Sequence, residues 1–207
     1  MLILYEDNHL IAGDKPAGMA TQGERSFETK LKMFIKERDK KKGNVFLHAL
    51  HRLDQPVSGI VLFAKTEKAL SRMNRIFREE RCHKEYIALV QGKRPHPIRF
   101  TDHLIHGHKK AIIVSHTHPK AKQAMLEILS VEQKSPKLWK LLIHLLTGRY
   151  HQIRAQLAAH QLPILGDRKY GSSHPFIRGR IALHHSTLIV DHPITQKPIR
   201  IESALPF

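Results

Sequence analysis

Asp54 stands in the segment HRLDQPVSG, two residues after Arg52 and five before Gly59. A carboxylate beside an arginine stays ionised, because the opposite charge favours the anion. An ionised carboxylate held in place can serve as a nucleophile or as a base. Ser58 and Gly59 supply backbone freedom where a loop must pass close to a ligand. The same residues also describe an Asp–Arg surface pair that shapes a turn. A second group lies in LLTGRYHQIRAQLAAHQLPILGDRKYG, residues 145–171. Arg149, His151 and Arg154 gather at the start of a short helix, where backbone N–H groups favour anions. The plain alternative there is a basic helix cap with a solvated face. Tyr86 is the third candidate. A strand tyrosine usually fills a core, but its ring can also serve as a platform on which a base stacks.

The 17 histidines invite a metal reading. Close pairs occur at His106 and His108, at His116 and His118, and at His184 and His185. Zinc sites draw on three or four oriented ligands. The chain has one cysteine, Cys82, and no H-E-x-x-H, so no metal site is assigned. It also lacks a P-loop, a G-x-G-x-x-G turn and a G-x-S-x-G elbow, which leaves ATP, dinucleotide and α/β-hydrolase chemistry unsupported.

The elements that must position these residues read as follows. Residues 2–6 and 9–14 form two short strands around the turn pair Asp7-Asn8. Lys15-Pro16-Ala17-Gly18 is a rigid turn. The basic run 30–42, with Leu31, Phe34 and Ile35 at helical spacing, reads as an amphipathic helix ending in a solvated loop at residues 40–44. The apolar run 59–65 is a buried strand. Thr66 then caps a helix whose Ala69, Leu70, Met73, Ile76 and Phe77 share one face. Residues 84–91 are a strand with Lys84, Tyr86 and Ala88 on one side. Residues 93–103, rich in Pro and His, read as loop. Strands follow near 111–115, 121–131 and 138–146, a helix over 151–160, and strands near 181–190 and 197–202. The sum is α+β: a mixed, mostly antiparallel sheet with flanking helices.

The chain has 207 residues and a hydrophobic fraction of 41%, enough for a packed core. Its 35 basic and 18 acidic residues leave a net charge of +17. Such an excess on a folded domain points to a polyanionic partner. With a single cysteine there is no disulfide within the chain, and a reducing compartment is the natural setting. No run approaches the roughly 18 apolar residues of a membrane span, and the N-terminus carries no signal-peptide pattern. A cytoplasmic protein with no membrane partner is expected.

Taken together, the segments resemble the RluA family of RNA pseudouridine synthases. HRLDQPVSG resembles that family's active-site motif. KPAGM, KEYIALVQG, LLTGRYHQIRAQLAAHQLPILGDRKYG and ALHHSTLIVDHP are similar to its other blocks, in the same order. The likeness runs from about residue 3 to residue 206. It implies the pseudouridine synthase fold with a central RNA-binding cleft, and isomerisation of uridine to pseudouridine without cofactor or metal. By position it makes Asp54 the catalytic aspartate. Arg154 becomes the arginine that pairs with Asp54, and Tyr86 the aromatic that stacks on the target base. Arg52 helps hold the place of the flipped-out nucleotide. Lys15, Lys84, Arg149 and His151 are expected to contact the RNA. Asp54 could attack C1′ or remove a ribose proton to give a glycal, and the residues allow both.

Val57 departs from the threonine common at its place, and Gln156 and Gln161 replace a histidine and a glycine. A single catalytic domain over 1–207 is expected, with no N-terminal S4 domain, acting as a monomer on transfer RNA, ribosomal RNA or both. Two other readings stand beside this one. A non-catalytic RNA-binding or ribosome-assembly factor would share the fold and charge, and a histidine-based metal-dependent nuclease would use the His pairs.

Overall fold

A computed structural model describes residues 1–207. The chain sorts into two compact units, Met1–Cys82 with His185–Ala204, and His83–His184 with Leu205–Phe207. The expected strand and helix classes recur in both.

In the first unit, β1 (Ile3–Glu6) and β2 (Leu10–Lys15) form an antiparallel hairpin. The Asp7 carboxylate makes the turn by accepting from the His9 and Leu10 amides at 2.7 and 2.8 Å. Helix α1 (Phe27–Arg38) is capped by the Ser26 hydroxyl, which accepts from Thr29 N. It starts three residues before the basic run and ends at Arg38, just ahead of the expected loop at residues 40–44. The cap that starts it lies upstream of the lysine run, and Lys40 at φ +49° lies outside helical backbone. A two-residue strand β3 (His48–Ala49) joins β4 (Ser58–Ala64). Helix α2 (Glu67–Arg78) begins as expected, with Thr66 accepting from Ala69 N.

Every residue of β4 is buried, because a helix lies on each face of its sheet. Ala69, Met73 and Ile76 of α2 pack with Leu10, Ala12, Ile60, Leu62 and Ala64. Phe27 of α1 meets Phe63 on the other face, with ring centroids 6.0 Å apart. The C-terminal hairpin, β10 (Leu183–Asp191) and β11 (Pro198–Glu202), completes this sheet in the order β1-β2-β4-β10-β11.

The second unit is an antiparallel sheet whose strands are β5 (Cys82–Gln91), β6 (Ile98–His106), β7 (Ala111–Ile113), β8 (Lys122–Ser135) and β9 (Leu138–Leu145), in the spatial order β5-β9-β8-β6-β7. Burial alternates along β5, with Lys84, Tyr86, Ala88 and Val90 inward. Strand β6 corrects the expectation of a loop over 93–103. It starts directly after Pro97, and pairing with β8 and β7 satisfies its backbone. Only Phe100 and Leu104 are buried along it, so its apolar signal is thin. Helix α3 (Gln152–Ala159) sets Ala155 against Leu104, Ala111 and Ala124. A 3-10 turn follows at Arg168–Tyr170. No helix is long and apolar enough to cross a membrane.

Candidate active site

The Asp54 loop is fixed by its neighbours in the first unit. His51 Nε2 accepts from Leu62 N at 3.1 Å, and its ring stacks on Phe77 at 5.3 Å. The Thr21 hydroxyl donates to Leu53 O at 2.9 Å and accepts from Leu53 N at 3.0 Å. Both polar atoms of Leu53 are thus held on one buried side chain. Val57 N closes a turn onto Asp54 O at 3.0 Å. In the result Leu50 and Leu53 are buried, Arg52 is exposed and Asp54 is half-buried. A loop pinned on both sides of a carboxylate limits where that carboxylate can point, which is what pre-organisation requires.

The KPAGM turn is tied to this loop. Gly18 N donates to Gln55 O at 2.7 Å, and Gln55 Nε2 donates back to Gly18 O at 3.1 Å. Gly18 has φ +92°, a backbone that favours glycine. Lys15 has no exposed surface. Its ammonium donates to Met19 O at 2.7 Å, Pro16 O at 3.1 Å and Gln55 O at 3.4 Å. Burial pulls its pKa down to about 8, while the charges of Asp54 and Asp14 pull the other way. This corrects the expectation that Lys15 touches RNA: it is an internal clamp that joins the two loops and places a cation within the field of Asp54.

Gly59 also acquires a specific reason. Its φ is +115°, and a Cβ there would lie 2.3 Å from His185 O and 2.6 Å from His185 N. The close approach is to the β10 backbone rather than to a ligand. His185 Nδ1 in turn lies 2.8 Å from Ile60 O.

In the second unit the basic block is organised around α3. Gln152 ties the turn before it, with Oε1 accepting from Arg149 N at 2.9 Å and from Thr147 Oγ1 at 2.8 Å, and Nε2 donating to Met125 O. Arg149 is half-buried, and its Nε donates to Gln123 O at 2.9 Å. His151 is buried in left-handed backbone, with Nδ1 2.9 Å from the Tyr170 hydroxyl. Arg154 is 4% exposed. Its Nε and one terminal nitrogen grip both oxygens of the buried Asp167, at 2.7 and 2.9 Å. The same guanidinium lies 5.1 Å above the Tyr170 ring. Tyr86 is inward on β5 opposite Ile143. Lys84, two residues away on the same face, is buried as well. Its ammonium lies 3.9 Å from the place a Cβ would take at Gly148.

Of the residues expected to bind RNA, Arg52 is the one with an exposed side chain. Lys15, Lys84 and His151 are buried, and charge in the sequence does not report burial. Asp167 and Tyr170 are the residues that the sequence reading passes over. They lie in GDRKYG, which reads as turn punctuation, yet it holds the one carboxylate between residues 133 and 190. No cluster of three or more His, Cys, Asp or Glu is arranged to hold a metal ion. The close His pairs are used locally instead: His106 rests on Tyr150 and His118 accepts from Lys120 N. A groove of about 650 Å³ beside α2, lined by Arg72, Arg75, Arg81 and His192, contains none of the expected catalytic or RNA-binding residues.

The fold is that of the pseudouridine synthases. It superposes on human RNA pseudouridylate synthase domain containing 4 with a TM-score of 0.81 and 22% identity, covering 99% of this chain and 88% of the other. For human RNA pseudouridylate synthase domain containing 1 the TM-score is 0.76 at 22% identity, covering 100% and 84%. Residues 9–159 match the model of the RNA pseudouridylate synthase family, and the chain belongs to that family. Among relatives, ribosomal large subunit pseudouridine synthase C of Rickettsia typhi is 31% identical, over 99% of this chain and 68% of its own length. The protein of the same name from Buchnera aphidicola subsp. Baizongia pistaciae is 30% identical, over 100% and 67%. The protein is an RNA pseudouridine synthase, and RNA is its substrate.

Proposed function

We propose that the enzyme isomerises uridines of large-subunit ribosomal RNA, with Asp54 as the catalytic carboxylate. The observation that carries this reading is Asp54 itself: the motif carboxylate sits in a loop held by Thr21, Gln55 and Lys15. The ribosomal target rests on the relatives, which are named for the large ribosomal subunit.

The reaction conserves every atom. The C1′–N1 bond breaks, the uracil turns, C5 bonds to C1′, and the proton on C5 is lost while N1 regains one. The reacting carbon is hidden in a stacked helix, so the nucleotide must first leave the stack at a cost of a few kcal/mol. Arg52, exposed beside Asp54, fills the place the nucleotide vacates. Asp54 then works at the ribose, by attack on C1′ or by removing a ribose proton. Tyr86 holds the uracil by its face while it turns. Arg154, its guanidinium fixed by Asp167, is the arginine that the family resemblance assigns to the catalytic machinery. The enzyme acts as a monomer in the cytoplasm, and needs neither metal nor cofactor.

The test is carbodiimide mapping of pseudouridine on unmodified large-subunit ribosomal RNA and on unmodified transfer RNA, each incubated with the purified protein and EDTA. New label at discrete ribosomal positions is expected. Label confined to transfer RNA would overturn the target, and label that disappears with EDTA would overturn the metal-free reaction.

A further inference from the structure

Tyr150 is the only Phe, Tyr or Trp in the chain with an exposed side chain, at 39% of its surface. Aromatic side chains are costly to leave in water, and most find a core or a partner. This one is held in place. Its ring lies on His151 at 3.9 Å and 20°. His106, itself exposed, leans on it at 4.2 Å and 57°. His151 continues the row to Tyr170, at 5.6 Å. A ring already fixed by such neighbours loses little freedom when a further flat group settles against it.

His106 begins a tight hairpin, residues 106–111, whose His108, Lys109 and Lys110 are all exposed. Gly107 N donates to Lys110 O at 3.1 Å. The Tyr170 hydroxyl accepts from Ala111 N at 2.8 Å, and the Lys110 ammonium lies 6.0 Å over the Tyr170 ring. The hairpin is thus anchored to the same row of rings. The exposed charges of the hairpin itself, Lys109 and Lys110, have one sign. No Asp or Glu occurs in residues 103–126 or 133–166, the two stretches that supply the hairpin and Tyr150. Exposed aromatic rings interleaved with cations, and free of carboxylates, are what a single-stranded nucleic acid recognises.

We propose that Tyr150 and His106 form a stacking platform for an unpaired base of the substrate RNA, separate from the reacting uridine. Lys109 and Lys110 neutralise the phosphates on either side of that base. The platform rests on the reading of the substrate as RNA with an unpaired segment. It assigns a function to a tyrosine that the Asp54 chemistry does not use.

The test uses the full chain and a ten-nucleotide oligouridine RNA with one internal 2-aminopurine, whose fluorescence falls on stacking. The unaltered protein should bind it and quench it. Tyr150→Ala and His106→Ala should each weaken binding by about 5- to 100-fold, the range for losing one base–aromatic stack. Tyr150→Phe keeps the ring and should stay within about twofold. Because Tyr150→Ala also removes a prop from His151, His106→Ala serves as the second, surface-exposed test. Binding and quenching unchanged in both alanine variants would overturn the platform, and so would a protein that binds without quenching. Pseudouridine formation by the unaltered protein is read separately. Its absence would defeat the enzymatic reading and leave the stacking result standing, whereas unchanged binding in the variants of an active enzyme would defeat the platform alone.

Discussion

Arg154 and Asp167 form a two-pronged ion pair whose side chains are 5% and 2% exposed. A buried pair of this kind is strongly destabilised when one member is removed, because the other is left charged without its partner. Asp167→Ala should lower the unfolding free energy by about 3–5 kcal/mol, read from urea unfolding. A loss below 1 kcal/mol would show that the fork matters little to stability. The motif around Asp54 was legible in the sequence, as was the placement of Arg154 on a helix. The partner that holds Arg154 was not, because thirteen residues and a turn separate it from Asp167, and chain distance says little about contact across a fold. Lys15 shows the same limit in another form. Its charge points to a surface contact, while three backbone carbonyls draw it inside.

Elements with strong local signals are legible in the sequence. The apolar set of α2 and the Thr66 cap define that helix, and period-two burial defines β5. Strand β6 was hidden because it buries few residues and follows two prolines, and its pairing with β8 comes from tertiary context. The first unit also shows how elements are joined by charge. Glu6 on β1 accepts from Arg38 at the end of α1, at 2.6 and 2.8 Å, and from Lys65 just after β4, at 2.8 Å. Hydrogen bonding to Arg38 is the main cause that holds Glu6 at a pKa of about 2, below its ordinary 4.5. The folded value is the lower one, so this link stabilises above pH 4.5 and is lost as pH falls from 4.5 towards 2. Glu6→Gln should therefore flatten the fall in melting temperature over that window while leaving its chemical neighbours intact. An acid profile identical to that of the unaltered protein would contradict the assignment.

The division into two units could not be read from the sequence, because the chain passes between them at residues 82–83, 184–185 and 204–205, inside strands or near the C-terminus rather than at a linker. Composition did fix one global property. With a net charge of +17, binding to RNA releases many counterions. The affinity for a single-stranded RNA should fall by about tenfold or more between 50 and 200 mM salt, measured by fluorescence anisotropy. Affinity independent of salt would mean that the basic excess lies away from the RNA. The most direct test of the whole account is pseudouridine formation on large-subunit ribosomal RNA by the unaltered protein and by Asp54→Asn, at equal folded concentration and with RNA binding confirmed for both. The account predicts discrete new pseudouridines with the former and at least a thousandfold slower formation, on the order of the loss of a key catalytic group, with the latter. Equal rates for the two proteins would contradict it.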